Sequence, residues 1–179
     1  MINPDVNVSI YYNAEKGYLF CAGIKVLNLH MHAYTGPLVI LPASEVTAEN
    51  IGACIRKTLE ISRNADQVDI DNEELYKYWL DAGYKNNGRF TKEHTSVTID
   101  ERDGKYVYTE YFFYKQGCYS CSKVSWNRTT IEKTISNQEL GKIIQENMDA
   151  FIGRDYKKSD GKYIWNGSTW VKRKEYLNL

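Results

Sequence analysis

Apolar residues recur at the spacing of a helix over the stretch from Ala48 to Arg63. They recur near the helical period, so they lie on one side of a helix that either Ser44 or Thr47 can cap. The pattern predicts an amphipathic helix that lies with this side against a sheet. The apolar positions are Ile51, Cys54, Ile55, Leu59 and Ile61.

A second helix is indicated by a capping box. Ser136 and Glu139 have the spacing at which a serine hydroxyl and a glutamate carboxylate satisfy each other's backbone N–H groups at the start of a helix. The apolar residues that follow keep the helical period as far as Ile152. Gly153 then predicts the end of the helix.

A third helix is predicted between Asp71 and Gly83. Asp71 can cap its first turn, and Glu73 and Glu74 are favoured there by the positive end of the helix dipole. Gly83 suits the left-handed residue that ends a helix.

Strands are predicted in the first quarter of the chain. The run from Tyr18 to Tyr34 is rich in aromatic and aliphatic residues and indicates a strand, or a bent pair of strands broken near Gly23. Gly36 and Pro37 interrupt the pattern. The continuous apolar run LVIL at 38–41 then predicts a short strand covered on both faces.

After Phe90 the pattern changes to alternation, which predicts an antiparallel meander. Its strands are TSVTI, EYFFY and SKVSW, and Asp103-Gly104 marks a tight turn between the first two. In the tail, Asn166-Gly167 predicts a hairpin that docks on the main sheet or on a partner. The fold class is therefore α+β, with a mainly antiparallel sheet, about three packed helices and a C-terminal hairpin. We expect one domain over residues 1–179, with residues 158–179 as a hairpin appendage.

Charge and composition narrow the function classes. The 23 basic and 23 acidic side chains cancel, so the chain lacks the excess of positive charge typical of nucleic-acid binding. The N-terminus lacks the pattern of a secretory signal, and no apolar run is long enough for a membrane span. We therefore expect a cytoplasmic protein with reduced cysteines. Its 15 tyrosines and four tryptophans suit a sheet or a protein interface.

Two groups of residues suggest chemistry, and each has a simpler interpretation. Cys118 and Cys121 have the spacing of a zinc or redox half-site, but a second pair is missing and residues three apart on a strand point to opposite faces. His30 and His32 would project from one face of a strand, and His94 is the only other histidine. We interpret the thiols as structural and the histidines as ordinary strand residues. No metal and no cofactor is predicted.

The segment from Ala65 to Glu74 is strongly acidic. It carries Asp66, Asp69, Asp71, Glu73 and Glu74 in a loop and at the start of a helix. The helix dipole accounts for the two glutamates, but not for Asp66 and Asp69. The glycine and the closing glutamate of an EF-hand loop are missing, which excludes that calcium site. A negative patch on a neutral protein is suited to attracting a basic partner, so we predict that this segment binds one.

The order of these features resembles a known family. LVILPASEVTAENIGACIRKTLEISR, then ELYKYWLDAGYKNNGRF and the aromatic meander, resemble the immunity proteins of bacterial contact-dependent growth inhibition systems. The similarity spans Leu38 to Ile152 and includes a helix ending in Ile-Ser-Arg at 61–63 and an Ala-Gly helix end at 82–83.

The resemblance implies a cytosolic inhibitor, not an enzyme. Such a protein binds the C-terminal toxin domain, usually a nuclease, of a cognate effector, and we expect a one-to-one complex with no direct contact to nucleic acid or membrane. The family offers no catalytic residues to transfer, and its toxin contacts differ between members. One alternative is a small nuclease or hydrolase that uses His30, His32 and His94. Another is a structural or adaptor domain.

Overall fold

The computed structural model describes residues 6–26, 32–66, 76–121, 129–157 and 161–178, and within them it shows an α+β fold. The strands of the first half are β1 (Asn7–Asn13), β2 (Gly17–Lys25), β3 (His32–Pro42) and β4 (Thr95–Arg102). Those of the second half are β5 (Lys105–Lys115), β6 (Cys118–Cys121), β7 (Thr129–Glu132), β8 (Tyr163–Trp165) and β9 (Trp170–Lys172). The helices are α1 (Ala48–Asn64), α2 (Tyr78–Asp81), α3 (Asn87–Lys92), α4 (Asn137–Asp149) and α5 (Arg173–Tyr176).

Seven strands form one antiparallel sheet in the order β3-β2-β1-β4-β5-β6, and β7 pairs with the first part of β5. The predicted antiparallel meander is confirmed for β4 and β5, and the structure continues it with β6, which was not among the predicted strands. The turn between β4 and β5 has positive φ at Asp103 and Gly104, as a two-residue hairpin requires. SKVSW, the third predicted strand of this meander, lies outside the described residues.

Helices α1 and α4 cover one face of the sheet. The Thr47 side chain caps α1 by accepting a hydrogen bond from the Asn50 N–H at 3.1 Å, and the capping box of Ser136 and Glu139 is present at α4. The alternating apolar side chains of the strands are fully buried against these helices, among them Val8, Ile10, Val97 and Ile99.

Three details of the strand predictions are wrong. The run from Tyr18 to Tyr34 does enter two strands, β2 and β3, but the chain does not break at Gly23, because this residue pairs with Asn7 on one side and Tyr34 on the other. Gly36 and Pro37 do not divide two strands, since β3 continues through them with a shift of register against β2. The predicted cover on both faces of LVIL fails, since Val39 and Leu41 are buried on the helix side of β3 while Ile40, on its other face, is 52% exposed.

The other helix predictions hold in part. α4 ends at Asp149 and not at Ile152, because the chain turns there and Ile152 forms a bridge with Trp165. Gly153 does have the positive φ expected of it, and so does Gly83 after α2. Only the last part of the third predicted helix is described, as α2, and its predicted cap Asp71 lies outside the described residues.

The C-terminal hairpin is present as β8 and β9, and it docks on the rest of the fold. Trp165 and Trp170 are fully buried, and the Trp170 indole N–H donates to the His94 carbonyl at 2.7 Å. At its turn, the Gly167 carbonyl accepts a hydrogen bond from the Ala14 N–H at 3.1 Å. The turn end of the hairpin is therefore held against β1 and β4, while its open end points the other way.

Candidate functional site

A cleft of about 470 Å³ lies on the sheet face opposite α1 and α4. Its floor consists of small side chains on the two central strands, Ser9 on β1 and Ser96 and Thr98 on β4. Large aromatic side chains stand around this floor, on β1, on β3, β5 and β6, and on the segment at the start of α2. The aromatic lining residues are Tyr11, Tyr34, Tyr76, Tyr78, Trp79, Tyr111 and Tyr119.

The aromatic rings hold one another in fixed positions. Tyr11 stacks on Tyr78 with ring centroids 5.2 Å apart and meets Phe90 edge-on at 4.9 Å. Tyr34 meets Tyr78 edge-on at 5.0 Å, so β3 is linked to α2 across the cleft wall. Rings packed in this way lose little further freedom when a ligand binds, which favours a preorganised site.

Two polar atoms at the cleft are buried without a hydrogen-bond partner among the described residues. They are the Thr98 hydroxyl and the Asn87 side-chain oxygen. Thr98 is only 9% exposed, and leaving such a group unpaired costs roughly 1–3 kcal/mol. A group that entered the cleft and hydrogen-bonded to Thr98 would recover this cost.

The cleft lining carries no formal charge at neutral pH. No Lys, Arg, Asp, Glu or His belongs to it within the described residues. Burial raises the pKa of Tyr11 well above its ordinary value, and repulsion from the Tyr34 and Tyr78 phenols adds to this, while burial also raises the pKa of Tyr78. These hydroxyls therefore remain neutral phenols that can donate and accept hydrogen bonds.

The rim of the cleft is more exposed and partly apolar. The Tyr76 hydroxyl donates a hydrogen bond to the Asp81 carboxylate, which fixes the side chain at the start of α2. Leu80 on α2 is 51% exposed, and Leu38 on β3 is half-buried against the same aromatic cluster. The rim therefore adds one exposed apolar side chain, Leu80, next to Trp79 of the cleft lining.

The structure describes little of the predicted acidic site. Asp66 is exposed directly after the C-cap of α1, as a surface role requires. Asp69, Asp71, Glu73 and Glu74 lie outside the described residues. In the sequence, Tyr76 of the cleft rim follows Glu74 by two positions.

The three histidines do not form one site. His94 is fully buried before β4, where its Nδ1 lies 2.9 Å from the Phe90 carbonyl and burial lowers its pKa to about 4. His32 is the first residue of β3, and Leu41 lies nine residues further along the same strand. Leu41 is in register, through the strand pairs across β2 and β1, with Thr95, the residue that follows His94. At ~3.3 Å per residue this separates His32 from His94 by more than roughly 20 Å. His30 lies outside the described residues.

The cysteines are the other group of residues for which the sequence suggested chemistry. Cys118 is half-buried at the start of β6, and Cys21 is buried among the aromatic side chains behind the cleft, where burial raises its pKa. Within the described ranges, no three His, Cys, Asp or Glu side chains lie close enough to hold a metal ion. No helix in the same ranges is long and apolar enough to cross a membrane.

Sequence reasoning missed the cleft because β1 was not recognised as a strand. The alternation in TSVTI did predict two faces for β4, one with Val97 and Ile99 and the other with Ser96 and Thr98. The small hydroxyl residues were therefore a usable signal of a face that is not filled by packing. Their alignment with Ser9 and Tyr11 depends on strand order, which local patterns do not specify.

These features define an α+β protein with one sheet face sealed by two helices and an aromatic cleft on the other face. The chain belongs to the CDI immunity protein family, whose model matches residues 8–150. No curated protein matches the chain.

Two solved structures share the fold. A protein of unknown function from Neisseria meningitidis is 16% identical, with a TM-score of 0.63 over 84% of this chain and 97% of that chain. A chain of the CdiA-CT/CdiI toxin and immunity complex from Yersinia pseudotuberculosis is 11% identical, with a TM-score of 0.56 over 78% of this chain and 93% of that chain.

Proposed function

We propose that this protein is an immunity protein that binds the C-terminal toxin domain of a cognate contact-dependent growth inhibition effector and neutralises it. The observation that carries the proposal is the family match over residues 8–150. The fold shared with a chain of the Yersinia toxin and immunity complex supports it. The proposal includes a nuclease toxin, a one-to-one complex in the cytoplasm, and a single domain that is not an enzyme and does not itself bind nucleic acid.

The aromatic cleft is the proposed anchor site for the toxin. Binding energy in protein interfaces is concentrated in a few well-packed residues, with Tyr and Trp prominent among them. The cleft offers several such rings in fixed positions, together with the unpaired hydroxyl of Thr98. A toxin side chain that fills the cleft would bury apolar area and would also satisfy this hydroxyl.

The acidic segment is proposed to speed the approach of a basic toxin surface. Asp66, Asp69, Asp71, Glu73 and Glu74 are the residues of this prediction. Exposed charge pairs contribute on the order of 0.2–1 kcal/mol each, so charge alone gives little affinity. The two regions therefore have different roles, in which the acidic segment sets the association rate and the cleft sets the lifetime of the complex.

The cleft assignment is tested by Thr98→Val, with Thr95→Val as its matched control. Both threonines lie on β4 with buried hydroxyls that have no hydrogen-bond partner among the residues described by the structure, but only Thr98 lines the cleft. Valine keeps the side-chain shape and removes the hydroxyl, so both variants should gain up to about 1 kcal/mol of stability. Only T98V should weaken binding of the toxin domain encoded by the neighbouring effector gene, by about 1 kcal/mol or roughly fivefold in Kd.

Thermal melts and isothermal titration calorimetry measure the two effects. Equal affinities for T98V and the wild type, or equal losses in both variants, would show that the toxin does not use this hydroxyl. If wild-type protein does not bind the toxin domain and fails to block its activity, the proposed function itself is wrong.

A further inference from the structure

The C-terminal part of the chain differs in charge from the rest. Residues 151–179, which follow the stretch matched by the family model, carry seven basic and three acidic side chains, a net charge of +4. Because the whole chain is neutral, residues 1–150 carry a net charge of −4. The excess of positive charge therefore lies in the C-terminal segment, after the part of the chain that the family model matches.

Four of these seven basic residues lie at the open end of the hairpin. A depression of about 350 Å³ is found there, between the start of β8 and the end of β9. Tyr163 pairs with Lys172 across the hairpin, and the Arg173 N–H donates to the Lys162 carbonyl at 2.9 Å. The depression is lined by Gly161, Lys162, Tyr163, Lys172, Arg173 and Lys174.

Most of this positive charge is not neutralised. Arg173 pairs with the Asp155 carboxylate at 2.9 Å, but Lys172 reaches Glu175 only at 3.8 Å, with both side chains more than 60% exposed. Lys162 and Lys174 have no acidic partner in the part of the chain that the structure describes. Like charges held close together repel, and an anion that bound between them would relieve this repulsion.

We infer that the open end of the hairpin is a docking site for an acidic segment of a protein partner. The site is rigid, because the buried Trp165 and Trp170 fix the hairpin against the fold. A short peptide segment that carries carboxylates fits the depression, because the depression is only a few side chains wide and does not extend into a long basic stripe. Nucleic acid is less well matched, because Tyr163 is the single aromatic side chain among the lining residues that the structure describes, whereas single strands bind through several stacked rings along a basic groove.

This surface shares no lining residue with the aromatic cleft, and its test contains no toxin, so the inference can fail independently of the proposed function. The probe is fluorescein-labelled hexaglutamate, titrated with the protein in low salt and followed by fluorescence anisotropy. The test variant is K162Q/K172Q/K174Q. The control variant, K57Q/K115Q/K142Q, removes the same charge from exposed lysines elsewhere.

Each exposed charge pair changes affinity about 1.4- to 5-fold, so the test variant should bind hexaglutamate about tenfold more weakly. The control variant should bind it like the wild type, and thermal melts should show that all three proteins are folded. Absence of binding to the wild type, or an equal loss in both variants, would overturn the inference. A second probe is oligothymidylate of the same length. If it bound as tightly as the peptide and lost affinity in the same test variant, the site would be one for nucleic acid and the inference would be overturned.

Discussion

Gly141→Ala should destabilise this protein, although alanine is the better helix former. Helices α1 and α4 cross with their backbones in contact near their first turns. A Cβ atom on Gly141 would lie 1.7 Å from the Ala48 carbonyl oxygen, and one on Gly52 would lie 2.0 Å from the Asn137 carbonyl oxygen. Ordinary van der Waals contacts of a Cβ atom are 3.4–4 Å, so the backbones must move apart to admit a methyl group.

Two opposing effects set the size of the change. Replacing glycine by alanine within a helix favours folding by roughly 0.5–1 kcal/mol. Against this, forcing a methyl group into a packed contact costs typically about 1–3 kcal/mol, and here the obstacle is backbone and not a flexible side chain. Separating the helices would also loosen the packing of Ile55, Leu140 and Ile144, which are all fully buried. We expect a net loss of about 2 kcal/mol in the free energy of unfolding.

Urea titration and thermal melts followed by circular dichroism measure this loss. At this chain length, 2 kcal/mol corresponds to a fall of roughly 4–8 °C in Tm. Gly88→Ala in α3 is the matched control, because its Cβ would meet side chains and no backbone: the Gln116 side chain at 3.1 Å, which can move, and the Asn86 side-chain oxygen at 3.5 Å, an ordinary contact. The control should change stability little or raise it. If G141A melts at or above the wild-type Tm, the helix contact is not as tight as described and the reasoning fails.

Two other predictions concern pH and charge. Burial lowers the pKa of His94 to about 4. The neutral imidazole therefore stabilises the fold fully above about pH 6.5, and this contribution to the free energy of unfolding is lost as the pH falls towards 4. Urea titrations should show a loss of about 3 kcal/mol over this interval that is much smaller in H94F, and an equal loss in H94F would contradict the assignment. Changing Asp66, Asp69 and Asp71 to Lys should slow association with the toxin domain and flatten its salt dependence with little change in Tm. Unaltered stopped-flow kinetics would mean that the acidic segment does not guide binding.

Local signals were sufficient wherever a few neighbouring residues determine the structure. The capping box at Ser136 and the Asp103-Gly104 turn were predicted, and Thr47 was one of two predicted caps, because each depends on hydrogen bonds or φ angles within four residues. The Gly36-Pro37 prediction failed because pairing with β2 carries β3 through residues that would end an isolated strand. Tertiary pairing outweighed a local preference there.

The candidate site could not be predicted in the same way, because it depends on which strands become neighbours. Ser9 faces Thr98, and Tyr11 faces Ser96, only because β1 inserts between β2 and β4. Residues almost 90 positions apart thus form one floor. The aromatic richness of the chain did indicate an interface, but the sequence alone did not separate rings that line the cleft from rings such as Tyr108 that fill the core.

The two faces of the central strands differ in a way that packing alone does not explain. On the helix side, Val97 and Ile99 are fully buried, and burying a side chain of this kind contributes ~1.5–3 kcal/mol. On the cleft side, the same strand carries Ser96 and Thr98, which are also buried but contribute much less and leave one hydroxyl unpaired. A sequence selected only for stability would place larger apolar residues there and close the cleft. The variants G141A and T98V separate stability from binding. G141A should lower stability through the helix side of the sheet, whereas T98V should raise stability and weaken the binding proposed for the cleft.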